Sequence, residues 1–181
     1  MVLFEKGGLS TNLLVAVTRI ALLISLSTGM ARAEDSLEYK IKAAYLYNFT
    51  KFITWPALTG TSFNICLVGA DSFQNLLDSL ESRTVQDKPI RIVRHDNVKQ
   101  IKNCQIVYFD NADGRIDNII PNALSVASFS NSLTVSGQPL FAESGGMIGF
   151  VLEQERVKLH INLKVLKQSG LGISAKLIEV S

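Results

Sequence analysis

Two cysteines, each set in a strand-length apolar run, constrain the fold of this chain more than any other feature. Cys66 lies in Phe63-Asn-Ile-Cys-Leu-Val-Gly69, and Cys104 opens Cys104-Gln-Ile-Val-Tyr-Phe109. A disulfide needs Cα atoms within about 7 Å. If the two sulfurs bridge, the two runs lie side by side in one sheet. The loop is long, with 37 residues between the cysteines. Closing it stabilises the fold by roughly 4 kcal/mol in the loop-entropy model. Two free buried thiols, or half of a metal site, are the rival readings. A metal site is disfavoured because the chain has two Cys and two His in all, with no close ligand pair along the sequence.

The compartment bears on that choice, and the N-terminus bears on the compartment. Lys6 and Arg19 give a weakly basic start, and the apolar run Ile20-Ala-Leu-Leu-Ile-Ser-Leu-Ser27 follows. Ala31-x-Ala33 then matches the small-residue pattern of a signal-peptidase site. The run is shorter than the ~20 apolar residues that span a bilayer. An uncleaved anchor is the alternative to a cleaved leader. The expected division is a signal peptide at 1–33 and a single domain at 34–181. That places the mature chain outside the cytoplasm, where thiols oxidise and an even cysteine count reads as a bridge. The expected leader holds three of the 18 basic and one of the 16 acidic residues, leaving 15 of each sign. A neutral domain argues against nucleic acid, whose phosphates need a basic face. No later stretch is apolar for 18 residues, so membrane insertion is not expected.

Along the mature chain, Asp35 and Glu38 have the spacing of a capping box, and the segment from Leu37 to about Thr54 reads as helix. Its apolar residues occupy two faces, Leu37, Ile41, Ala44, Tyr45 and Phe52 on one, Leu46, Phe49 and Ile53 on the other. Such a helix is buried on most sides, by its own domain or by a second protein. Pro56 is the expected stop. The first strand is Phe63–Gly69. Phe73, Leu76, Leu77 and Leu80 fall at helical spacing after it. Pro89–Arg94 alternates as a second strand, a short helix is expected near Asp96–Ile101, and Cys104–Phe109 is a third strand, apolar enough to be central. Ile116–Ile120 is weakly helical. Ser132–Ser136 is a further strand, and Met147–Leu152 with Val157–Ile161 flanks a charged turn as a hairpin. Asn162 caps a helix that Gly170 ends. Ser174–Val180 does not separate helix from strand. The order implies an α/β three-layer sandwich, a mostly parallel sheet with an antiparallel C-terminal hairpin. A bridge between the first and third strands gives the order 2-1-3, a flavodoxin-like winding.

Candidate chemistry is sparse. His95 and His160 have no adjacent cysteine or serine motif that would make either a general base. Gly145-Gly146-Met147-Ile-Gly149 lacks the lysine of a phosphate loop and precedes a strand, where phosphate cradles precede helices. It reads as a strand entry with unusual dihedrals, or as a close backbone approach to a partner. Lys88, Arg91, Arg94, Lys99 and Lys102 form a basic cluster diluted by Asp87 and Asp96, read as a solvated face. Asp110 with Asp113, and Glu153 with Glu155, lie in turn signals and take no acid–base role. No catalytic residue, cofactor or metal is assigned. The densest aromatic run is Tyr45, Tyr47, Phe49, Phe52 and Trp55. It is read as core or as a docking surface. The candidate partner or dimer interface is therefore Tyr45, Phe49, Phe52 and Trp55, with Gly145, Gly146 and Met147.

At these residues the chain resembles a known family. Glu38-Tyr-Lys-Ile-Lys-Ala-Ala-Tyr-Leu-Tyr-Asn-Phe-Thr-Lys-Phe-Ile-Thr-Trp-Pro56, Cys66-Leu-Val-Gly-Ala-Asp-Ser-Phe73, Cys104–Phe109, Gly145-Gly-Met-Ile148, Ile161-Asn162 and Ser169-Gly-Leu-Gly-Ile-Ser-Ala-Lys-Leu177 resemble, in order, the YfiR family. The resemblance implies a secreted regulator that is not an enzyme. It implies binding to the periplasmic domain of an inner-membrane diguanylate cyclase, in the best-known case YfiN, which is held inactive so that cyclic di-GMP and biofilm formation fall. It also implies a disulfide between Cys66 and Cys104. Some members carry a second cysteine pair near the glycine-rich segment, which this chain lacks. A homodimer through the aromatic helix is expected. The alternative is a periplasmic small-molecule-binding module acting on another membrane protein such as a histidine kinase, with its ligand at the strand ends. Mass spectrometry of the exported protein is expected to find Glu34 as its first residue; an intact leader would overturn the assignment of 1–33.

Overall fold

The computed structural model describes residues 37–56, 58, 60–114, 124 and 131–179. The expected leader, the Asp35 cap and the weak helix at 116–120 lie outside the described residues. Residues 37–52 are helical (α1). The strands are β1 (Ile53–Thr54), β2 (Phe63–Gly69), β3 (Thr84–Val85), β4 (Lys88–His95), β5 (Ile106–Asp110), β6 (Leu133–Ser136), β7 (Ile148–Glu153), β8 (Arg156–Ile161) and β9 (Gly172–Ile173). Two short helices close the chain, α2 (Leu163–Gln168) and α3 (Ala175–Ile178). From Glu38 onward the chain forms one compact unit.

Seven strands pair in the order β3-β4-β2-β5-β6-β7-β8. The five from β4 to β7 are parallel to one another, and β3 and β8 add antiparallel edges. The expected 2-1-3 winding is present as β4-β2-β5. Alternation along β2 and β5 divides the interior into two apolar clusters. Ile65, Leu67, Ile106 and Tyr108 enter the larger one, under α1. Cys66, Val68, Val107 and Phe109 enter the smaller one, with Phe141 and Ile101. That is the three-layer arrangement, because a parallel sheet must be covered on both faces.

α1 buries Ala43, Leu46 and Phe49 against the sheet, at i, i+3 and i+6. Phe49 stacks on Phe150 at 6.1 Å, and Tyr45 reaches the same ring at 5.8 Å. The helix stops four residues short of Pro56. There the chain becomes β1 and pairs antiparallel with β9, Ile53 opposite Ile173 and Thr54 opposite Gly172. A Cβ on Gly172 would lie 3.1 Å from the Thr54 Cβ, tighter than an ordinary contact, so the two strands approach closely there. Tertiary pairing, rather than proline, ends this helix.

The segment after β2 departs from its apolar periodicity. Phe73, Leu77 and Leu80 are buried as a helical stripe would be, yet 72–77 is a series of turns leading to a 3-10 helix at Asp78–Ser82. Asp71 and Gln74 take φ of +52° and +50°, which an α-helix excludes. Arg94 holds the bend, reaching Asp71 at 2.6 Å, Asp78 at 3.2 Å and the Gln74 carbonyl at 2.6 Å. The helix expected near Asp96–Ile101 is likewise one 3-10 turn at Val98–Gln100. Both hairpins turn on two residues of positive φ, Gln86-Asp87 and Gln154-Glu155, the turn hand that matches strand twist.

Burying Phe49 completely makes it a sensitive position. Phe49→Ala is expected to lower unfolding free energy by about 3–5 kcal/mol. The exposed Lys40→Ala should change it by no more than about 0.5 kcal/mol. Chemical denaturation of the two variants measures the difference.

Candidate functional site

Parallel strands open a crevice beyond their carboxyl ends. Here the ends of β5 and β6, with α1 above them, enclose about 260 Å³. Lys42 projects into it from α1 and is 6% exposed. Its ammonium pairs with Glu38 one turn back and lies 4.6 Å from the Tyr39 ring centre. Gly137 follows β6, and a Cβ there would come within 3.0 Å of Lys42 Nζ and 3.3 Å of the Tyr108 hydroxyl. Burial pushes the Tyr108 phenol well above its ordinary pKa, and Tyr39, Asp110 and Glu38 add to it, so Tyr108 stays neutral. Asp110 is buried and accepts from the Ser72 amide (2.5 Å), the Ser72 hydroxyl (3.1 Å) and the Ala112 amide (3.3 Å). It anchors the loop after β2 to the end of β5. A paired cation, a neutral phenol and buried amide partners suit recognition of a small polar group.

Two further surfaces flank the sheet. Along the C-terminal hairpin, Ala142, Glu143, Glu153, Lys158, His160 and Asn162 line an open groove of about 660 Å³. Lys158 hydrogen-bonds Glu153 at 2.8 Å and holds its carboxyl below the usual range, with His160 adding to the effect. At the end of α1, Tyr47 lies between two cations, Lys51 at 4.2 Å and Arg83 at 4.8 Å from its ring. Burial raises the Tyr47 phenol, but the Arg83 hydrogen bond and both charges outweigh it, and the net shift is downward.

The residues singled out from the sequence separate into different environments. Cys66 and Cys104 are joined by a disulfide with Cα atoms 5.9 Å apart. Phe49 lies in the core. Trp55 is buried edge-on to Phe63 at 5.0 Å and donates its indole N–H to the Gln105 carbonyl at 3.2 Å. Gly146 and Met147 are buried, and a Cβ on Gly146 would strike the Phe141 ring at 2.2 Å. Tyr45, Phe52 and Gly145 keep partial exposure. The apolar excess of α1 is thus largely absorbed by its own domain. Gly145 takes a φ of +102°, the unusual dihedral expected at that strand entry.

Lys42, Tyr39 and Asp110 escaped sequence reasoning. The available signal was a lysine at the buried register of an otherwise apolar helix. Asp110 read as a turn residue because its burial depends on the neighbouring loop. Asp110→Ala leaves the Ser72 and Ala112 donors without their acceptor, and is expected to cost about 1–3 kcal/mol of stability, measured by denaturant titration.

No described helix is long and apolar enough to cross a membrane. Among curated proteins no sequence matches the chain. The sequence profile of YfiR/HmsC-like proteins matches residues 39–181, the span that holds the sheet, the crevice and the disulfide, and the chain belongs to the YfiR/HmsC-like family.

Proposed function

We propose that this chain is a periplasmic regulator that works by contact. It binds the periplasmic sensory domain of a membrane-bound diguanylate cyclase, holds the enzyme inactive, and so lowers cyclic di-GMP and biofilm formation. The family match over residues 39–181 is the observation that carries this reading. The disulfide supports the compartment, since such bonds persist outside the cytoplasm. The surface supplies apolar anchors. Leu140, in the loop before the glycine pair, is 67% exposed, and Leu152 on β7 is 53% exposed. Tyr45 and Phe52 on α1, and Gly145, add partly exposed positions, and a homodimer would use α1.

A second reading is favoured by the strand-end crevice. There the chain would sense a small polar molecule and act on another membrane signalling protein, such as a histidine kinase. Deleting the gene and measuring cellular cyclic di-GMP separates the two. A rise that the wild-type protein reverses is expected, and Leu140→Asp should weaken binding to the purified cyclase domain tenfold or more. An unchanged cyclic di-GMP level would refute the cyclase reading. A ligand-dependent rise in melting temperature, abolished by Lys42→Met, would favour the second.

A further inference from the structure

His95 ends β4 on the face that carries Val93, the side of the sheet on which Cys66 lies. One ring nitrogen of His95 and the two sulfurs of Cys66 and Cys104 all lie within 4.8 Å of one another. Cys66 and Cys104 are 1% and 5% exposed. The His95 Nε2 is itself buried and has no hydrogen-bond partner among the described residues. A buried imidazole nitrogen left without a partner costs free energy unless something fills the gap. The disulfide cannot do so, because its sulfurs are poor acceptors and carry no charge.

We infer that Cys66, Cys104 and His95 are a masked three-ligand site for Zn(II), closed by the disulfide and opened by its reduction. Tetrahedral zinc binds sulfur at about 2.3 Å and nitrogen at about 2.0–2.1 Å, so its ligand atoms stand roughly 3.5–3.8 Å apart. Breaking the S–S bond lets the sulfurs separate to that spacing by side-chain rotation, while the imidazole keeps its place. The reductant is a dithiol. It transfers two electrons and two protons to the Cys66–Cys104 bond and becomes a disulfide itself. Zinc then displaces the two thiol protons to solvent and takes a lone pair from a ring nitrogen of His95. Two thiolates cancel the charge of a divalent ion, which suits a buried site, and a monovalent ion would leave a net negative charge there. Three protein ligands leave the fourth position to water. The inference stands apart from the partner reading above.

The test uses Co(II) and Zn(II) on the mature chain, reduced with a phosphine and freed of reductant under nitrogen. One Co(II) per chain with a thiolate-to-cobalt charge-transfer band is expected, bleached by Zn(II) and absent from the oxidised chain. His95→Ala, and His95→Gln as a second variant, should weaken binding by at least about tenfold, since even outer-shell partners of a metal cost 10–100-fold. Their oxidised forms should melt with the wild type. Thermal melts of the reduced chain with and without Zn(II) cover loss of structure on reduction: zinc should restore the lost transition. Absence of the band, binding indifferent to His95, one metal shared by two chains, or a reduced chain that zinc does not refold would each overturn the site.

Discussion

The structure depends on β2 being buried on both faces while pairing in parallel on both edges. Five of its seven residues belong to one apolar cluster or the other through strict alternation, and the pairings to β4 and β5 leave no edge free. Parallel pairing joins residues far apart in sequence, so its entropic cost is paid before its contacts form. The Cys66–Cys104 bond lowers that cost by tying β2 to the head of β5 in the unfolded chain as well. Irregular crossovers are tolerable under that restraint. Between β2 and β4 the chain needs no full helix, because Phe73, Leu77 and Leu80 reach the core from turns and a 3-10 helix.

Hydroxyl groups complete the sheet where apolar side chains do not. Ser132, Thr134 and Ser136 share one side of the β6 segment and are buried, yet each has a partner. Ser132 and Ser136 donate to the Cys104 and Phe109 carbonyls, and Thr134 accepts from the Met147 amide. These bonds carry the order from the disulfide side to the glycine-rich entry of β7. Asn162 extends it, capping α2 through the Val165 amide and donating to the Ala142 carbonyl. The surface around Leu140 and Gly145 is therefore presented by a hydrogen-bonded frame, which suits recognition by contact.

Several elements were legible in the sequence because their causes are local. A strand-length apolar run marked β2, alternation marked β4, two runs flanking a charged turn marked the hairpin, Asn162 and Gly170 bounded α2, and the cysteine pair restricted which strands could be neighbours. The expected helix after β2 failed because periodicity reports burial, not backbone conformation. Left-handed dihedrals at Asp71 and Gln74, held by Arg94 from a neighbouring strand, were invisible at that distance in sequence. The two-residue β1 and β9 were equally hidden, since neither is a strand without the other.

Residue identity alone determined the parallel α/β class, the winding and the family, because hydrophobic period and the order of motifs survive without coordinates. Tertiary structure decided which face of α1 the sheet covers, how Lys42 comes to be buried at the strand ends, and that His95 stands beside the two sulfurs. Along the chain the imidazole is 29 residues from one cysteine and 9 from the other. Only strand pairing, which acts through space and not along the chain, brings the three together.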